Sequence, residues 1–247
     1  MNALSNIKTI AKRELGAYFS SPVAYVFIVI FLLLAGFFTF TFGAFFERGE
    51  ASLMAFFGWI PWLFLFLVPA AGMRLWSEER RMGTIELLLT MPVTTPQAIL
   101  GKFLASWVFL AIALALTFPL VITVNILGEP DNGVIAAGYA ASLLLAGAYL
   151  AISCMTSALT RNQVISFILS VMLCLALILV GFAPVIDMIE RWASPGLVEY
   201  IAGISVLTHF DGMQKGVIDS RDLLYFLSLI AFALFATGVI IRGHRAG

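Results

Sequence analysis

Read for its pattern of apolar and polar positions, the chain is a series of long uncharged runs separated by short charged stretches. Val23 to Phe46 contains no Asp, Glu, Lys, Arg or His, and about 20 apolar residues are enough to cross a bilayer as a helix. The same test marks spans near 23–46, 51–73, 103–127, 134–159, 164–186 and 223–241. Six transmembrane helices are therefore expected. The runs are continuously apolar and do not alternate with period two, which excludes a transmembrane barrel. The first run is longer than a signal-peptide core and no small-residue cleavage site follows it, so it is expected to stay in the mature protein.

Before the first span, "LSNIKTIAKRELGAYFSSP" repeats Leu4, Ile7, Ala11, Leu15 and Tyr18 at helical spacing, with Ser5, Lys8, Thr9 and Lys12 on the other side. That pattern predicts an amphipathic helix over about 4–19 lying in the membrane interface, with Lys8, Lys12, Arg13 and Glu14 as its charged residues. Ser20-Ser21-Pro22 then breaks the helix and turns the chain into the bilayer. Two outer loops, "ERGE" and "GEPDNG", are short. The third, Asp187 to Asp222, carries the helical stripe Leu197, Tyr200, Ile201 and Ile204, with Trp192 and Phe210 as interface anchors. One or two helices dipping into the outer leaflet, a re-entrant hairpin, are expected there. No internal repeat or linker divides the chain, which reads as one all-α polytopic membrane domain over 1–247.

Composition sharpens this picture. Hydrophobic residues make up 62% and charged ones 11%, against about 25% charged in ordinary soluble domains. The zero net charge hides an asymmetry. Ten Lys and Arg fall in the N-terminal tail, the 74–102 loop, the 160–163 turn and the C-terminal tail, and four on the opposite side. The positive-inside rule places both termini in the cytoplasm. Cys154 and Cys174 fall inside predicted spans and read as small packing residues.

Arg74 to Lys102 is the only sizeable cytoplasmic loop, and it reads as structured. Ser77 is placed to cap a helix with Glu78 and Glu79 in its first turn, followed by Arg80 and Arg81. Gly83 permits a break, and Thr84 is placed to cap a second short helix that carries Glu86 and ends at Pro92. Thr95-Pro96 then starts the helix that becomes the third span. In the short helix Ile85, Leu88, Leu89 and Pro92 share one face. A cytosolic loop has no core of its own for that face, so lipid headgroups, the rest of the protein or a partner must cover it. The flanking charges would set orientation and register at such a contact.

The stretch "SEERRMGTIELLLTMPVTTPQAILGKFLA" resembles the cytoplasmic loop of ABC-2-type transporter permeases, with Gly83, Thr84 and Glu86 as the most specific part. "AKRELGAYFSSPVAYV" and "HFDGMQKGVIDSRDLLYF" are similar to the permeases associated with gliding motility and with nitrous-oxide-reductase maturation. The resemblance implies a permease subunit in a bacterial inner membrane. Its loop would carry a coupling helix, Glu78 to Arg81 and Gly83 to Leu89, seated in a groove of an ATPase subunit. It also implies two ATPase chains that hold ATP and magnesium, and a homodimer or a heterodimer with a second permease. A periplasmic or membrane-anchored auxiliary protein is a further partner, and nothing points to nucleic acid. No G-x-x-x-x-G-K-[ST] phosphate loop occurs in the chain, so the nucleotide is expected on another polypeptide.

Two other function classes fit less well. An ion-coupled secondary transporter usually places Asp, Glu, Lys, Arg or His within its spans, and the six spans read here contain none of these. A membrane hydrolase would need more than Ser205 and His209 four residues apart, and two histidines make a histidine-based metal site poorly supported. A non-transporting scaffold that relays motion to an extracytoplasmic partner stays open.

Overall fold

The computed structural model describes residues 3–43, 45–49, 51–84, 93–191 and 195–243. Among them every regular element is helical. Five stretches are long and apolar enough to cross a membrane, or six if one bent pair counts as a span.

Helix α1 (Ala3–Ser20) leads into α2 (Pro22–Phe37). Ser21 separates them and accepts from the Val23 N–H at 3.3 Å, with Pro22 at the first helical position. This is the break the Ser-Ser-Pro stretch implied. A π-helical turn over Phe38–Phe42 extends α2, and a short α3 (Phe45–Arg48) follows. Helix α4 (Met54–Gly72) runs straight through Pro61 and Pro69, and α5 (Ser77–Met82) closes on Gly83 in the left-handed region at φ 71°.

The helix expected to start at Thr95-Pro96 starts one residue earlier. Helix α6 (Thr95–Ala115) starts at Thr94, whose N–H is accepted by Gln97 Oε1 at 3.2 Å, so the cap lies one residue before Thr95. Lys102 consequently sits two turns inside an apolar helix. The chain pauses at Leu116-Thr117 before α7 (Phe118–Leu127), because Pro119 has no N–H to continue the ladder.

Helix α8 (Asn132–Leu159) is the hub, packing against α4, α6, α9, α12 and α13. It is apolar or small-sided all round, as a helix buried on every face must be. The fifth expected span is broken: α9 (Gln163–Leu179) and α10 (Ala183–Glu190) meet at 61°. Gly181 lies against the Ser205 side chain at that bend, and Pro184 restarts the helix. Helices α11 (Pro195–Ala202) and α12 (Val206–Gln214) make up the rest of the outer segment, and α13 (Ser220–Gly243) is the last span. Helix α12 is not superficial: Val206, Phe210 and Met213 are buried against the bundle. Cys154 and Cys174 are free and buried.

The ends sort into two groups. Asn6 bonds Gln97, Arg80 bonds the end of α8, and Gly238 in α13 lies beside Ile99. At the other end, Gly128 lies on Ala51 and Gly216 on Val134. The segments assigned to one membrane side by charge therefore do share one end of the molecule.

Candidate functional site

The polar structure concentrates at the end that holds α1, α5 and the start of α6. Its first component is the junction between α4 and α5. The sequence assigns Ser77 as the helix cap, but Ser77 is buried as the first residue of α5 and its hydroxyl donates to Met73 O at 2.5 Å. The freed N–H groups of Trp76 and Ser77 are instead accepted by Ser157 Oγ in α8, at 2.9 and 3.0 Å. Ser157 in turn donates to Met73 O at 2.9 Å. A hydroxyl from a helix 80 residues away thus supplies the cap. The Trp76 ring is fully buried and its Nε1–H meets Cys154 Sγ at 3.2 Å. The Arg80 guanidinium donates to Ala158 O.

Lys102 is the second component. Its side chain is 7% exposed, and its ammonium lies 2.9 Å from Glu79 and 3.5 Å from Glu14. It also stands 5.4 Å from the centre of the Trp76 ring, within cation–π range. One buried ammonium therefore ties α1, α5 and α6 together, and the two carboxylates offset its desolvation. The other Glu79 oxygen, Oε2, is buried without a hydrogen-bond partner among the described residues.

The third component is the face of α1. Of the predicted stripe, Ile7, Ala11, Leu15 and Tyr18 turn towards the protein, together with Ile10, and pack along α6, whereas Leu4 is exposed. The approach is close enough that a Cβ at Gly101 would fall 2.7 Å from Ile10 Cγ2. Tyr18 shares a 2.9 Å hydrogen bond with Ser106, donates to Ala71 O at 3.2 Å and stacks on Phe109. Burial pushes the Tyr18 phenol above its ordinary range, so it stays a neutral donor. Of the charged residues assigned to α1, Glu14 turns inward, while Lys8, Lys12 and Arg13 are exposed.

The residues read from the loop therefore divide. Glu79 and Arg80 are internal struts. Glu78 and Arg81 lie on the outer side, 4.0 Å apart, and Gly83 and Thr84 are exposed. Ile85, Glu86, Leu88 and Leu89 lie outside the described residues. Sequence reasoning counted Lys102 as one more inner cation, placed Tyr18 on the apolar stripe of α1 without its hydrogen bonds, and did not find Trp76 or Ser157. A lone lysine two turns into an apolar helix was the available signal, since such a charge calls for a partner.

At the opposite end His209 pairs with Asp222 at 2.7 Å, contacts Gly203 O at 2.9 Å and stacks on Tyr225. Tyr225 donates to Ile204 O at 2.6 Å. Both His209 nitrogens thereby face structural neighbours, Asp222 and Gly203 O, and Ser205 caps α12 by accepting the Leu207 N–H at 3.1 Å. Neither residue is arranged as a nucleophile and base. Among the described residues no cluster of His, Cys, Asp and Glu could hold a metal ion.

The comparisons with known proteins agree with this membrane architecture. A family model described as ABC-2 family transporter protein matches residues 8–195, from the exposed face of α1 to the start of α11. No curated protein matches the chain. The match spans well over half of the 247 residues, and the chain belongs to the ABC-2 transporter family as a multi-pass membrane component.

Proposed function

We propose that the chain is the permease subunit of an ATP-binding-cassette transporter and that it takes up motion from a separate ATPase through the segment 78–89. The observation that carries this reading is the Lys102 bracket. A partner pushing on the exposed edge of α5 would push on a helix fixed by Glu79 to α6 and α1, and by Arg80 to α8. Force entering there reaches three elements at once. Glu78, Arg81, Gly83 and Thr84 then form the near edge of the contact, and the stripe Ile85, Leu88 and Leu89 its apolar centre, oriented by Glu86.

Two ATPase chains close two nucleotide sites between them, so two copies of this unit, or one copy with a related permease, complete the assembly. ATP and magnesium are held by the ATPase. The bracket end faces the cytoplasm of a bacterial cell, as the excess of Lys and Arg there favours. Resemblance to the gliding-motility and nitrous-oxide-reductase-maturation permeases supports either export or transmission of motion to an outer partner. The 187–222 segment is the surface for such a partner.

The test is copurification with the cognate ATPase. Leu88→Ala combined with Leu89→Ala removes the apolar centre, and a leucine at an interface hot spot contributes about 2 kcal/mol or more. Association is expected to fall at least tenfold while the permease still inserts. Wild-type association and hydrolysis in this variant, and in Glu86→Lys, would remove the assignment.

A further inference from the structure

A groove of about 520 Å³ opens between α1, α2, α4, α5 and the start of α6. Its two ends differ in chemistry. Val26, Phe27, Ile30, Leu67 and Phe109 line one end, and Arg74, Glu78 and Glu79 stand at the other. Val26 and Ile30 are exposed on the outer edge of α2, so the apolar end is open to the surrounding hydrocarbon. The volume lies within the ~300–1,000 Å³ of small-molecule sites. It accommodates a polar headgroup and the upper part of one chain.

From this layout we infer that the groove is a binding site for a glycerophospholipid whose headgroup carries a primary amine, a phosphatidylethanolamine. The polar end is complementary to both charges of that headgroup. Arg74 is exposed and has no carboxylate within 4.0 Å among the described residues, which leaves its guanidinium for a phosphate. Among the described residues Glu79 Oε2 has no hydrogen-bond partner and Glu78 has no ion pair besides Arg81, at 4.0 Å, and both side chains line the groove. A primary ammonium has three N–H donors for these oxygens, as Lys102, which also lines the groove, shows at the same carboxylate. A quaternary choline has none. An anionic glycerol headgroup brings no cation to a mouth in which Glu14, Glu78 and Glu79 outnumber Arg74 and Lys102. A lipid seated here touches every element of the bracket except α8, so its occupancy stiffens the segment through which an ATPase would act.

The experiment uses the full-length permease without any ATPase, so its outcome is separate from that of the coupling reading. The delipidated protein in detergent is offered equal amounts of phosphatidylethanolamine, phosphatidylcholine and phosphatidylglycerol with identical acyl chains. Native mass spectrometry then counts the lipids retained. The ethanolamine lipid is expected to be held about tenfold more tightly than the choline lipid, the size of one charge-assisted hydrogen bond. Arg74→Gln, at an exposed position, should lower retention of all three. Glu79→Gln should erase the preference for the amine, and Glu78→Gln, away from Lys102, should reduce it without touching the bracket. Ala70→Phe should fill the groove and release the lipid. Equal retention of the three lipids, preference for the glycerol headgroup, or retention unchanged by Arg74→Gln would each overturn the assignment.

Discussion

The two ends of this molecule use charge in opposite ways. At the inner end the buried ionic contacts join residues far apart in sequence, Lys102 to Glu79 and Glu14 and Arg80 to the carbonyl of Ala158, while the more exposed pairs Arg13–Glu14 and Glu78–Arg81 are local. At the outer end one pair, His209–Asp222, joins two helices across 13 residues, and the other contacts are local and exposed. Lys215 pairs with Asp211 one turn away, and Asp219 accepts from the Arg221 N–H at 3.0 Å, a bond that holds its carboxyl below the ordinary range. Long-range buried pairs fix helices relative to one another, whereas local exposed pairs only trim a helix end. The inner end is built as a bracket, and the outer end as helices seated by apolar side chains such as Val206, Phe210 and Met213.

If that contrast is right, substitutions should rank accordingly. Lys102→Met strands two carboxylates and is expected to cost about 3 kcal/mol, read as the largest fall in thermal midpoint in detergent. Adding Glu79→Gln should recover part of the loss, since one stranded charge is removed; a further additive loss would argue against direct pairing. Ser157→Ala leaves the Trp76 and Ser77 N–H groups without an acceptor and is expected to cost about 2 kcal/mol, with faster amide exchange in α5. At the outer end Asp222→Asn weakens a partly exposed pair and should cost about 1 kcal/mol. Lys215→Ala should change stability by no more than about 0.5 kcal/mol. An outer substitution more damaging than Lys102→Met would reverse the comparison.

Five of the six expected spans, the N-terminal helix, its break at Ser21 and the grouping of the ends were legible because they follow from local signals: uncharged length, helical spacing and proline. The breaks at Thr117 and Gly181 were not legible, because the surrounding residues are as apolar as the spans themselves. Pro61 and Pro69 show that a proline in such a run does not by itself end a helix. The site was read in outline only. Charge order located the segment 78–81, but which of its members turn inward depends on the register of α5 against α6 and α8. Lys102 and Ser157 lie 23 and 80 residues from their partners Glu79 and Ser77, and no local pattern carries that information.

The buried placement of Cys154 and Cys174 has a practical consequence. They are the only thiols in the chain, and both are sealed inside the helix bundle. The unmodified protein is therefore already a silent background for site-directed reporters. A cysteine introduced at exposed Thr84 or at exposed Val217 would be the sole accessible nucleophile of its kind. An impermeant maleimide could read the sidedness of each end in intact cells. A nitroxide pair at Thr84 and exposed Lys12 could follow whether the inner bracket moves as one body during nucleotide turnover.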